Sequence, residues 1–174
     1  MKDLDMMHYF LSMEAWKNVD RISLGQEKYA VEILKRSKMM DYKDMTTPMA
    51  PNLKLLSVSS LEMVDATMYH EMIDSLMYLT NMRPYIFFTV NTLRHVYLMV
   101  AKHVVRYLRG TVDYGLKYNA NQKINLEGYV DSYWAGSSIN RKSILGCFFS
   151  MGSSVISWFS RKHSCVELST TEAE

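Results

Sequence analysis

Two acidic residues stand where they can do chemistry together. Asp131 lies in Gly128-Tyr129-Val130-Asp131-Ser132, a run that reads as a strand and puts Asp131 on one face with Glu127, Tyr129 and Tyr133. Glu172 lies in Ser169-Thr170-Thr171-Glu172, a capping-box signature that opens a helix. Two further strand-like runs separate them. Three strands followed by a helix can carry the acid of the first strand to the first turn of the helix. Clustered carboxylates are what Mg2+ ions need to activate a water and stabilise the leaving oxygen of a phosphodiester. Each residue also has an ordinary role: an Asp on a half-exposed strand is usually solvated, and a Glu in a first turn usually answers the helix dipole.

A second set of residues is basic. Lys102, Arg106 and Arg109, at i, i+4 and i+7, share one helix face, and Lys28, Lys35, Arg36 and Lys38 form another basic region. Such faces suit a phosphate backbone. Interspersed Asp and Glu and a formal net charge of +2 make a solvated charged face the commoner outcome. His103 reads as a helix-surface residue, and Tyr78, Phe87, Phe88 and Tyr97 as core. The two cysteines, Cys147 and Cys165, belong to no CxxC or His-x3-His pattern, so neither a zinc site nor a disulfide framework is expected.

These residues must be positioned by local elements. Residues 8–14 read as a strand, Asn18-Val19-Asp20 as a turn and 21–24 as a returning strand. Ser23 with Gln26 resembles a capping box for a helix over about 26–38, whose apolar stripe is Tyr29, Ala30, Ile33 and Leu34. Residues 41–62, with Pro48 and Pro51, read as irregular. Asp65 or Thr67 can cap a second helix with Met68, Tyr69, Met72, Ile73, Leu76 and Met77 on its stripe, ended by Asn81 and Pro84. Pro84 also suits the first turn of a third helix. From Tyr85 to Arg109 there is neither Gly nor Pro, which allows one long helix or two, closed by Gly110 as a C-cap. Beyond it, 115–118 is extended and 119–122 turn-like. Leu126–Ser132, Leu145–Met151 and Ser154–Phe159 read as strands, with Gly152-Ser153 as a tight connection. An antiparallel meander is the simplest assembly.

Fourteen of the fifteen methionines precede residue 111, which places a boundary near Gly110-Thr111 and divides the chain into 1–110 and 111–174. The start, Met1-Lys2-Asp3-Leu4-Asp5, has no apolar run and is not a signal peptide. The most apolar stretch, Tyr85 to Ala101, is interrupted by Asn91, Arg94 and His95, so no membrane span is expected and an intracellular location is.

Several runs resemble the Pol polyprotein of copia-type LTR retrotransposons of plants. They are Met1–Leu4 with His8–Leu11, Ile22–Tyr29, Ser75–Thr80, Arg83-Pro84, Ala101–Gly110, Tyr129–Ser132 with Trp134–Gly136, and Ile156–Trp158 through Leu168–Glu174. The resemblance runs in order along nearly the whole chain. It implies an α+β fold in two parts. Residues 1–110 would be a strand hairpin with helices from the thumb and connection of a reverse transcriptase. Residues 111–174 would be a partial ribonuclease H-like antiparallel meander. It further implies an ancestral activity, Mg2+-dependent cleavage of RNA in RNA–DNA hybrids, with Asp131 and Glu172 as the first two metal-binding, catalytic carboxylates. It puts Lys102, Arg106, Arg109, Lys35 and Arg36 near nucleic acid; no protein partner is implied.

The chain departs from the family pattern. Gly is usual where Ser12 and Asp74 stand, Asp where Tyr85 and Tyr133 stand, and Thr-Ser where Ile144-Leu145 stand. About seven residues are missing between Leu93 and Arg94, where a loop separates two helices in the family, and their loss would fuse the two into one. Tyr133 brings a large ring to the face of Asp131. The polymerase motif Tyr-x-Asp-Asp is absent from the sequence, so no polymerase activity is expected. The two further nuclease acids would lie beyond residue 174. A helix of three or four residues does not sustain itself, so Glu172 is expected to fray. The expectation is an incomplete metal site and no cleavage; the alternatives are a non-catalytic nucleic-acid-binding module and a protein-interaction domain.

Overall fold

A computed structural model describes residues 8–49, 66–93, 98–133, 142–166 and 169–173. The strand expected over 8–14 is two strands, β1 (Tyr9–Phe10) and β2 (Met13–Lys17), joined by a two-residue turn. Phe10 pairs with Met13, and the intervening Leu11 and Ser12 have φ of 47° and 59°. Positive φ at both central residues is the type I′ hairpin geometry, whose twist matches that of the flanking strands. β3 (Arg21–Gly25) returns antiparallel after the expected turn, closed by Asn18 N–H donating to Arg21 O at 2.8 Å. β4 (Gly115–Asn119) completes a sheet of order β1-β2-β3-β4. Residues 115–118 therefore do not extend the later meander. Gly115 is required here, because a Cβ on it would lie 2.2 Å from the carbonyl oxygen of Leu24.

Four helices build the core: α1 (Glu27–Arg36), α2 (Ala66–Leu79), α3 (Pro84–Leu93) and α4 (Leu98–Arg109). Ala30, Ile33 and Leu34 are buried on α1 and Met72, Ile73, Leu76 and Leu79 on α2, largely the stripes read from the sequence. Met68, assigned to the α2 stripe, is instead exposed. α3 and α4 pack side by side, so they are two helices and not one fused rod. Packing back to back lets Ile86 and Val90 share one core with Ala101, Val104 and Val105, which a straight helix would forbid. Residues 94–97 lie outside the described residues.

The helix ends differ from the sequence reading. Ser23 is in β3, the N-cap of α1 is Gln26, and no side chain of that residue caps the helix. At the other end Lys38 has φ of 55°, Lys38 N–H donates to Lys35 O at 3.0 Å and Met39 N–H to Leu34 O at 2.9 Å. This is a Schellman closure with lysine in the place glycine usually takes. Gly110 does not adopt positive φ; its amide bonds Tyr107 O at 3.1 Å, a tightened last turn. Its lack of a side chain admits Asp44, whose Cβ would be 3.2 Å from an added methyl. Thr67, offered as a cap for α2, lies inside that helix; Asp65 and the irregular stretch from 50 on lie outside the described residues.

The chain divides into two compact units, Met1–Lys117 and Tyr118–Glu174, a few residues beyond the composition boundary. The second unit is the expected meander: β5 (Leu126–Tyr133), β6 (Ile144–Met151) and β7 (Ser154–Lys162), antiparallel in that order, then α5 (Thr170–Ala173). Met151 pairs with Ser154, and Gly152 has φ of 61°, so Gly152-Ser153 is a type II′ turn. The register moves by one residue at Phe149/Ser150, leaving Ile156 as a bulge. Every buried hydrophobic residue among those described belongs to the first unit. In the second, apolar side chains stand exposed on the sheet: Leu126 at 70%, Val130 at 61% and Phe148 at 41%. A sheet with such exposed apolar side chains is an association hazard.

Candidate functional site

The register of β5 on β6 determines what surrounds Asp131. Asp131 is opposite Gly146, which is opposite Ser160, while Tyr129 is opposite Phe148, which is opposite Trp158. One face thus carries a row of aromatic rings beside a row containing the exposed Asp131 and two small residues. Tyr129 and Phe148 stack with centroids 4.7 Å apart and planes 11° from parallel. The Tyr129 hydroxyl donates to Glu127 Oε2 at 2.9 Å, and that bond to a carboxylate holds the phenol above its ordinary pKa. Glu127 is thereby engaged. The side chain of Tyr133 lies outside the described residues.

Glu172 is in α5, which packs against β5. Ser169 Oγ accepts from Glu172 N–H at 3.2 Å, the first half of the capping box read from the sequence. The two acids are therefore on neighbouring elements of one unit. Among the described residues, no group of three or more His, Cys, Asp and Glu side chains converges on a metal-sized point.

The basic residues fare differently from one another. On α4 the buried stripe Val100, Ala101, Val104, Val105 and Leu108 turns Lys102, Arg106 and Arg109 outward. Lys102 is exposed. Arg106 Nε donates to Lys43 O at 2.7 Å, Arg109 Nη1 donates to Tyr42 O at 2.6 Å, and His103 Nε2 is 2.9 Å from Thr47 O. On α1, Arg36 pairs with Glu32 one turn back, and Lys35 is exposed.

Two polar residues to which the sequence reading gave no site role are buried. Glu14, 5% exposed on β2, accepts from Lys28 N–H at 3.1 Å and faces Lys28 Nζ at 3.2 Å. A carboxylate from another element thus serves the N-terminus of α1 in place of a local cap. Arg83 is fully buried just before α3. Its guanidinium donates to Thr111 O at 2.5 Å, Val112 O at 2.7 Å and Tyr85 Oη at 3.2 Å, tying α3 to the chain leaving α4. Burial pulls its pKa down, partly offset by the neighbouring Tyr85 and Asp113. Tyr85, placed where the resembled family carries Asp, supplies a hydroxyl instead of a carboxylate. The signal for Arg83 was its pairing with Pro84 at a helix start, which marks a position but not a buried partner.

No helix among the described residues is long and apolar enough to cross a membrane. No family model matches the chain, and no solved structure matches it. Curated relatives do. It is 36% identical over 180 positions to a retrovirus-related Pol polyprotein from transposon RE1 of Arabidopsis thaliana, covering 99% of this chain and 12% of that one. It is 34% identical over 190 positions to the Pol polyprotein from transposon TNT 1-94 of Nicotiana tabacum, covering 100% of this chain and 14% of the relative. It is also 36% identical over 183 positions to an uncharacterized mitochondrial protein of Arabidopsis thaliana, covering 100% of this chain and 75% of that protein. The chain spans about an eighth of the length of the Pol polyproteins it matches. These aligned lengths exceed the chain's own 174 residues, so the relatives carry residues that it lacks. Agreement in order from end to end, on an α+β framework of antiparallel sheets and helices, makes the chain a retrotransposon-derived member of the Pol polyprotein family of plant copia-type transposons.

Proposed function

We propose that this stretch derives from the junction of reverse transcriptase and ribonuclease H, and that its 174 residues alone do not cut RNA. The observation that carries the reading is Asp131 on the first strand of a three-stranded meander, with Glu172 opening a helix against that strand. This is the order of elements that a two-metal ribonuclease uses to start its carboxylate cluster. Two metals need more acids than these. Glu127 is hydrogen-bonded to Tyr129, and no third acid joins Asp131 and Glu172 among the described residues. The residues present do not fit a Mg2+ pair, and no catalytic step is derived through one. The test is a labelled RNA–DNA hybrid incubated with purified protein and Mg2+ or Mn2+. No cleavage is expected; cleavage that disappears in Asp131→Asn would overturn the reading.

A second reading is non-catalytic nucleic-acid binding by the outer face of α4. The exposed Lys102, one turn from Arg106 and two from Arg109, favours it. Binding to the hybrid should fall steeply with salt and be lost in a Lys102/Arg106/Arg109 triple alanine variant. Absence of binding at low salt removes this reading.

A further inference from the structure

Three side chains on the outer face of α4 are engaged by main-chain carbonyls of one segment. Arg109, Arg106 and His103 hold Tyr42 O, Lys43 O and Thr47 O. Met45 N–H returns one bond to Arg106 O at 3.3 Å. The covering segment has little else to hold it: from residue 41 to 47 only Met45 is half-buried, and the rest are exposed. Hydrogen bonds rather than apolar burial keep it in place. The acceptors are neutral, and among the described residues neither guanidinium forms an ion pair. A guanidinium gains more from an anionic phosphate oxygen, where both partners are charged, than from a neutral carbonyl oxygen.

We propose that residues 42–47 form a strap hydrogen-bonded to Arg106 and Arg109 of α4 and displaced from them by the phosphate backbone of a nucleic-acid duplex. This rests on the nucleic-acid-binding reading of α4. The three strap carbonyls occupy the positions that phosphate oxygens would take. Lys102 lies outside these contacts and is exposed, so it offers a first point of attachment before the strap lifts. Gly110 matters to the closed state, since it lets Asp44 approach the end of the helix.

That approach supplies the test. The Asp44 Cβ lies 3.2 Å from where a Cβ on residue 110 would be, near the spacing of about 3.8 Å that a disulfide spans. The variant Asp44→Cys/Gly110→Cys, with Cys147→Ser and Cys165→Ser, can be oxidised to lock the strap and reduced to release it. Affinity for an RNA–DNA hybrid of about 20 base pairs is read by fluorescence anisotropy at low salt. Reduced protein should bind about tenfold more tightly than oxidised protein, as expected when Arg106 and Arg109 become available for phosphate contacts. Equal, measurable affinity in both forms would overturn the strap and leave the binding reading standing. No binding by either form or by the unaltered chain would overturn both. Should the variant fail to fold, trypsin cleavage after Lys43 in the unaltered chain decides: hybrid should accelerate it, and unchanged or slower cleavage counts against the strap.

Discussion

The β1–β2 turn offers the cleanest test of how this sequence meets its fold. Ser12 has φ of 59°, at the position where the resembled family carries Gly. An L-residue held in the left-handed region costs roughly 1–2 kcal/mol. Glycine removes that cost but brings extra freedom in the unfolded chain, worth about 0.5–1 kcal/mol. Ser12→Gly should therefore stabilise the protein by about 0.5–1 kcal/mol. The assay is urea unfolding, with the midpoint moving up and the slope unchanged. Ser12→Ala should show no such gain, because it keeps the Cβ, and Ser12→Val should destabilise, because a β-branched side chain tolerates positive φ worst. If Ser12→Gly is neutral or destabilising, or if Ser12→Ala gains as much, the type I′ geometry is not what limits this hairpin. Leu11, at φ of 47° and 63% exposed, gives an independent check, since Leu11→Asn should also stabilise.

Two further outcomes follow from the same structure. Gly115→Ala drives a methyl into the Leu24 carbonyl and should cost about 3 kcal/mol, the upper range for overpacking against backbone; urea unfolding checks it, and amide exchange should show β3 and β4 loosening first. Burial raises the Tyr85 phenol, with Arg83 pulling it part of the way back. Because the folded state disfavours the phenolate, this contribution is complete below pH 10, the ordinary tyrosine value, and is lost as pH rises through the higher folded value. Unfolding measured from pH 9 to 11 should steepen in the unaltered chain and flatten in Tyr85→Phe, and an identical slope in both would refute it.

Sequence by itself determined the elements whose pattern is local. The extended runs 126–132 and 145–151 and the Gly152-Ser153 turn pointed to a meander, because extended segments joined by a two-residue turn pair as antiparallel neighbours. The stripes of α1 and most of α2 were legible from their helical period. The identities of Asp131 and Glu172 were legible too, since a carboxylate on a strand and another after a capping Ser need no neighbour to be noticed. What only the tertiary structure decided are the long-range pairings of polar groups. Glu14 reaches Lys28 from another element, Arg106 and Arg109 spend donors on carbonyls more than 60 residues away, and Arg83 finds Thr111 and Val112. It also decided that β4 belongs to the first sheet and that α3 and α4 are separate. The physical reason is the same throughout. Periodicity records which side of an element is apolar, but a buried donor accepts any oxygen of suitable geometry, and which oxygen arrives is set by how the elements pack.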